Sequence, residues 1–238
     1  MKAFILAAGL GTRLMPLTKD IPKAMVAING KPMIGHLIEK LTKSGFNQIV
    51  INIHHNGEKI IEYVNNLSFS GAEIFISDER NKLLDTGGGL LKAKNLLENS
   101  NDFLVHNVDI YSNIDLREMY LHHKSSNNLV SLAVKERTSS NYLLFDNDNT
   151  LCGWYSNTTG AKRIVKEREE YKELAFSGIQ VISSEIFKHI TEKGKFGVIP
   201  MYLRLAKDHN IGAYIHNDKD VLDLGKHESL KKAQSLFV

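Results

Sequence analysis

From Lys2 to His106, short apolar runs alternate with segments of helical length, and no other feature constrains the fold as much. Lys2–Ala7, Gln48–Ile53, Glu73–Ser77 and Asp102–His106 read as strands. Between them, Met33, Ile34, Leu37, Ile38 and Leu41 fall on one helical face, which Gly45 stops. Further helices are expected around Glu58–Val64 and from about Gly88 to Leu97. Strands separated by helices imply a parallel sheet covered on both faces.

The pattern changes after about residue 129. Leu129–Val134, Tyr142–Phe145 and Leu151–Trp154 read as strands, the last two joined by an Asn/Asp-rich turn as in a hairpin. Phe176–Ile182 and Ile211–Ile215 are further strands, with helices expected at Ser184–Ile190, Val198–Lys207 and His227–Leu236. No linker or repeat divides the chain, so one domain is expected over residues 1–238, with a first half of about 1–128 and a mixed second half of about 129–238.

Composition narrows the classes of function. A net charge of +3 from 30 basic and 27 acidic residues, with no basic block, suits small anions and is not a nucleic-acid footprint. No run approaches the length of a membrane span, and the apolar start passes directly into a glycine loop, so a membrane partner is not expected. A single cysteine, Cys152, forms no internal disulfide and fits a reducing cytoplasm. The pairs His54-His55 and His122-His123 are poor metal sites, because adjacent side chains on a strand or helix point apart.

The strongest local signal is Leu6-Ala7-Ala8-Gly9-Leu10-Gly11-Thr12-Arg13-Leu14-Met15-Pro16-Leu17-Thr18, at the carboxyl end of the first strand. Open α/β sheets place ligand crevices there. Gly9 and Gly11 let backbone N–H groups approach phosphate oxygens, and Arg13 adds a planar cationic fork. The loop is not a dinucleotide fingerprint, since Leu14 holds the third glycine position. Nor is it a P-loop, since no Gly-Lys-Ser/Thr follows. Ile21-Pro22-Lys23 brings a second cation ten residues after Arg13.

This run, with its Pro-Lys, resembles the signature of the sugar nucleotidylyltransferases, or nucleotide-sugar pyrophosphorylases. The resemblance covers nearly the whole chain. It implies an α/β, Rossmann-like three-layer sandwich with a mostly parallel mixed sheet, the nucleotide-diphospho-sugar transferase fold. It also implies an enzyme that joins a nucleoside triphosphate to a sugar-1-phosphate and releases pyrophosphate. The first half would bind nucleotide and the second half sugar. Ala8, Gly9, Leu10, Gly11, Thr12 and Arg13 would wrap the phosphates, with Arg13 and Lys23 as the catalytic cations. Such chemistry relies on charge neutralisation, commonly by Mg²⁺. The family's strand-end aspartates map to Asp109 and Asp223 as its ligands, although Val108 stands where the family usually has glycine.

Three glycines in Leu84-Asp85-Thr86-Gly87-Gly88-Gly89 imply a close approach at a helix start, as beneath a flat base. The family would place the nucleobase against Thr86, Gly87 and Gly88, with Asp85 standing where many relatives carry glycine. On the sugar side the family strand Phe176-Ser177-Gly178 suggests Gly178, and Asn107 and Asn141 are amides able to read hydroxyl or acetamido groups. Lys162, Arg163 and Lys166 are expected on a solvated face. The short uridylyltransferases acting on N-acetylmuramate 1-phosphate are the nearest type, which favours UTP. Mannose- or heptose-1-phosphate guanylyltransferases and a non-catalytic nucleotide-sugar binder are the alternatives. The sequence leaves the oligomeric state open.

Overall fold

The computed structural model describes residues 1–66, 71–217 and 221–235. Strand β1 (Lys2–Leu6) leads through a long loop and the ribbon β2 (Ala27–Ile28) and β3 (Lys31–Pro32) into helix α1 (Met33–Lys43). There follow β4 (Gln48–Ile53), α2 (Gly57–Asn65), β5 (Glu73–Asp78), α3 (Asp85–Lys92), α4 (Lys94–Leu97) and β6 (Asp102–Asn107). Next come β7 (Ile110–Tyr111), α5 (Leu116–Ser125), β8 (Val130–Lys135), β9 (Asn141–Phe145), β10 (Leu151–Ser156), β11 (Lys162–Ile164) and the long β12 (Lys172–Ser183). Then come α6 (Val198–Leu205), β13 (Ile211–Ile215), β14 (Leu222–Asp223) and α7 (His227–Ala233).

The first half of the sheet runs in the order β5-β4-β1-β6, all parallel. Side chains of these strands alternate between two cores. Phe4, Val50, Phe103 and Val105 join the core beneath α3, α4 and α6, built with Leu90, Leu97, Met201 and Tyr202. Ala3, Ile5, Ile49, Ile51 and Leu104 face the other core, where α1, α2 and α5 supply Ile34, Leu37, Ile38, Ile60, Val64 and Met119. Strands buried on both faces explain the nearly continuous apolar runs, and the result is the expected three layers. The α1 face is held chiefly by packing, since burying each large apolar side chain contributes about 1.5–3 kcal/mol. Gly45, at φ 87°, ends that helix in a conformation few other residues adopt.

Antiparallel pairing enters with β12, which lies against β6 along its carboxyl half, against β8 from Ala175 to Ile182 and against β9 at its start. β13 adds to β8 in parallel, and β9, β10 and β11 form an antiparallel branch. The strand expected at Phe176–Ile182 is longer, because its first residues, Lys172–Leu174, pair with the hairpin. The helix expected from Gly88 to Leu97 begins at Asp85 and breaks at Ala93 into α3 and α4. The helix expected at Ser184–Ile190 is a 3-10 turn over Ser184–Lys188. The last helix is described to Ala233, and its expected end at Leu236 lies outside the described residues.

Candidate active site

β4 lies on one side of β1 and β6 on the other, so the chain changes direction between β1 and β6 and a crevice opens beyond their carboxyl ends. The Val108 amide donates to the Leu6 carbonyl at 3.1 Å and ties the two strand ends together. The glycine loop leaves β1 at this point. Gly11 has φ 67°, and a Cβ there would stand 3.0 Å from both Lys23 Cβ and Thr18 Cγ2, so the turn accepts only glycine without strain. Thr18 Oγ1 donates to the Gly11 carbonyl at 2.8 Å. Leu14, the residue that spoils the dinucleotide fingerprint, is fully buried with Val26, Ile28, Met33 and Leu224 and anchors the loop.

Four charged side chains converge beside this loop. Lys23 Nζ lies 2.7 Å from Asp109 Oδ2, and Arg13 Nη1 lies 2.9 Å from Asp223 Oδ2. Arg13 Nη2 stands 3.8 Å from Asp109 Oδ2, so one guanidinium spans both carboxylates. Burial pushes the Asp223 carboxyl up, but the Arg13 hydrogen bond, the Gly225 amide and the charges of Arg13 and Lys23 outweigh it and hold the group below its ordinary value.

Asp109 lies two residues past β6, close to where it was expected, but Asp223 does not end a parallel strand of the main sheet. It sits on β14, which pairs antiparallel with β7, and the Asp223–Ile110 register brings it beside Asp109. The Leu224 amide donates to the Asp109 carbonyl at 2.7 Å and locks the two segments together. The ribbon reaches the crevice where a sheet strand was expected because two-residue strands suffice to bridge two turns. Gly225 completes the cluster. A Cβ at Gly225 would stand 2.7 Å from Arg13 Nη2, 2.8 Å from Asp223 Oδ1 and 3.0 Å from Asp109 Oδ2. The open space among these oxygens therefore exists because residue 225 has no side chain.

A cleft of about 390 Å³ is lined by Ala8, Gly9, Arg13, Lys23, Thr86, Asn107 and Asp109, with Asn52, Asp85 and Lys195. Leu10, Gly11 and Thr12 belong to the loop at its edge, Leu10 being exposed. Asn107 and Gly178 also meet: Gly178, at φ 75°, lets β12 pass where a Cβ would stand 2.9 Å from Asn107 Nδ2. Asn141 is exposed and lies instead at a second cavity of about 550 Å³ lined by Tyr142, Trp154, Phe176 and Leu203. Arg163 lines that cavity as well, so the run at Lys162–Lys166 is not wholly a solvated face.

The glycine turn is explained differently from expectation. The Gly87 and Gly88 amides donate to the Phe196 carbonyl at 2.9 and 3.1 Å, and a Cβ on Gly88 would lie 2.4 Å from the Gly194 carbonyl. The chain's own backbone makes the close approach, which places Gly87 and Gly88 behind the cleft wall rather than in it. Thr86 stays at the wall, where its hydroxyl accepts from the Val198 amide at 3.0 Å and caps α6. Sequence reasoning missed Asn52, Lys195 and Gly225. Asn52 was visible as a polar interruption of an apolar strand; the other two carry no local signal.

No described helix is long and apolar enough to cross a membrane. The nucleotidyl transferase family model matches residues 2–237. The chain is 30% identical to an N-acetylmuramate alpha-1-phosphate uridylyltransferase of Neisseria meningitidis, covering 99% of this chain and 98% of that protein. It is 31% identical to a D-glycero-alpha-D-manno-heptose 1-phosphate guanylyltransferase of Campylobacter jejuni, covering 82% of each. HddC from Yersinia pseudotuberculosis superposes with a TM-score of 0.79 at 25% identity, covering 100% and 99% of the two chains. With its fold and sequence matched over nearly their full length, the chain belongs to the nucleotidyl transferase family, among the sugar-1-phosphate nucleotidylyltransferases.

Proposed function

We propose that this enzyme, working as one domain in the cytoplasm, transfers a uridylyl group from UTP to an N-acetylated sugar-1-phosphate, with N-acetylmuramate 1-phosphate the leading substrate. The observation that carries the reaction is the convergence of Arg13, Lys23, Asp109 and Asp223 beside the glycine loop. Phosphoryl chemistry of this kind depends on positioning and charge neutralisation. The Gly9–Arg13 loop holds the triphosphate, Arg13 faces the departing pyrophosphate, and Lys23 neutralises charge where the two substrates meet. The sugar phosphate attacks the α-phosphorus itself; its second pKa of about 6 leaves it ionised at neutral pH.

Asp109 and Asp223 suit Mg²⁺, which takes one or two protein carboxylates and completes its shell with phosphates and water. The space beside Gly225 that a Cβ would fill fits this assignment. When bound, the ion supplies neutralisation of the reacting phosphates. The near full-length similarity to an N-acetylmuramate alpha-1-phosphate uridylyltransferase supports the substrate choice. The heptose guanylyltransferase is similar to a comparable degree and supplies the second reading, GTP with a heptose- or mannose-1-phosphate. Pyrophosphate release is measured for four nucleoside triphosphates against N-acetylmuramate, N-acetylglucosamine, mannose and heptose 1-phosphates with Mg²⁺. Highest kcat/KM with UTP and an N-acetylated sugar supports the first reading, and preference for GTP overturns it. No turnover with any pair would mean a binding protein.

A further inference from the structure

Asn52 and Glu79 are each 2% exposed, polar, and outside the set of charged groups just described. Asn52 Oδ1 accepts from the Ala7 amide at 2.6 Å and from the Ala8 amide at 3.2 Å. Its Nδ2 donates to Glu79 Oε1 at 2.7 Å. The orientation of the amide is forced, because backbone N–H groups only donate and a carboxylate only accepts. Asn52 lies opposite Leu6, so the side chain grips the two residues through which β1 becomes the glycine loop.

Glu79 is held in turn. Its amide donates to the Ile53 carbonyl at 2.8 Å, and its carbonyl meets His54 Nδ1 at 2.7 Å. Burial pushes its carboxyl up, against the opposing pull of Asn52, the Leu84 amide, His54 and Lys92. Its second oxygen, Oε2, is buried as well, so the whole carboxyl sits inside the protein. Gly89 makes room for the pair, since a Cβ there would stand 2.7 Å from Glu79 Oε1 and 2.9 Å from Asn52 Nδ2. The last glycine of the triplet is thereby tied to the phosphate loop.

We infer that Asn52 and Glu79 are positioning residues that aim the phosphate loop from beneath, with Glu79 fixing the Asn52 amide so that its oxygen faces Ala7 and Ala8. Glu79 does not line the cleft, and Asn52, which does, has its amide engaged by Ala7, Ala8 and Glu79. The inference rests on the glycine loop as the triphosphate site, and it predicts an effect on nucleotide handling alone. Glu79→Gln keeps the acceptor for Asn52 at nearly constant shape, whereas Glu79→Leu removes it at similar volume. Glu79→Leu should raise the KM for the triphosphate and weaken its binding about tenfold, the scale of one buried hydrogen bond. The KM for the sugar phosphate should not move, and Glu79→Gln should stay within about threefold of wild type. Gly89→Ala is the second variant; alanine suits α3 better than glycine, so the helix persists while the pair is displaced.

Affinity is read by calorimetric titration with UTP and with GTP in Mg²⁺, at a temperature where melting curves show each variant folded. That measurement needs no turnover, so an inactive wild-type protein would end the transferase reading while the pair is still judged on affinity. Selective loss of triphosphate affinity in Glu79→Leu and Gly89→Ala, with rescue by Glu79→Gln, supports the inference. Unchanged affinity in both folded variants, equal loss in Glu79→Gln and Glu79→Leu, or a parallel rise in both KM values overturns it.

Discussion

Gly225→Ala tests the site through a residue that contributes no functional group. The added Cβ would lie 2.7 Å from Arg13 Nη2, 2.8 Å from Asp223 Oδ1 and 3.0 Å from Asp109 Oδ2, all too close for carbon against nitrogen or oxygen. The Arg13–Asp223 pair must yield first, and its side chains are 56% and 37% exposed, so screening limits its worth to about 1 kcal/mol. The Asp109 carboxylate is only 9% exposed and fixed by Lys23, and displacing it costs at least another ~1 kcal/mol. Moving the guanidinium and both carboxylates off the positions that the proposed site needs is expected to cost about 2 kcal/mol of transition-state stabilisation, or roughly thirtyfold in kcat/KM. The fold is expected to persist, since the strained contacts are side-chain ends rather than backbone. Pyrophosphate release with a Mg²⁺ titration is the assay, and the Mg²⁺ midpoint should rise as kcat/KM falls. An alanine variant with both quantities within about twofold of wild type would refute the idea that this space is part of the site.

Arg13→Ala should reduce kcat by about a hundredfold, or ~2.7 kcal/mol, with an unchanged melting curve; near wild-type kcat would remove Arg13 from the mechanism. Lys23→Ala should lower kcat and raise the KM of at least one substrate, because the ammonium faces charge that grows in the transition state. Kinetics within about twofold of wild type would reduce Lys23 to a structural partner of Asp109. Asp109→Asn and Asp223→Asn should each abolish most activity, and the double variant should lose little more, since groups acting as one unit are not additive. Additive losses in rate would argue for two separate roles.

The parts of the site legible in the sequence are those whose function lies within one short segment. Gly9, Gly11 and Arg13 announce themselves because turn, anion approach and cation are consecutive. Asp109 is legible because the mostly apolar stretch Phe103–Val108 leads into it. The support of Asp223 is not: β14 is two residues long, too short for any periodicity, and its partner β7 is equally brief. Gly225 could not be read at all, because its role is space left for atoms of Arg13 and Asp109 far away in the chain. The Gly87–Gly89 triplet shows the opposite case. Its glycines were correctly read as a close approach, yet the approaching groups are Phe196, Gly194, Asn52 and Glu79 of the same chain. Packing neighbours from distant segments leave no local pattern.

The cluster of two cations and two carboxylates has a further consequence for how the site is filled. Asp109 is 6% exposed, and a buried carboxylate without a partner is costly, so it requires a cation in every state of the enzyme. Lys23 meets that need at 2.7 Å, while Arg13 draws Asp223 toward the same point. On the proposed reading a triphosphate arriving with Mg²⁺ exchanges partners rather than adding uncompensated charge. Asp109 and Asp223 would hold the ion, and Arg13 and Lys23 would be free to neutralise phosphate oxygens. The cations keep the carboxylates together against their mutual repulsion, and the carboxylates hold Arg13 and Lys23 beside the glycine loop. For this reason the free protein should gain little from Mg²⁺ alone: the ion would have to displace Arg13 and Lys23 without offering them phosphate. Two carboxylates alone make a weak cage for a strongly hydrated ion, so on the proposed reading metal and nucleotide should bind with strong mutual dependence.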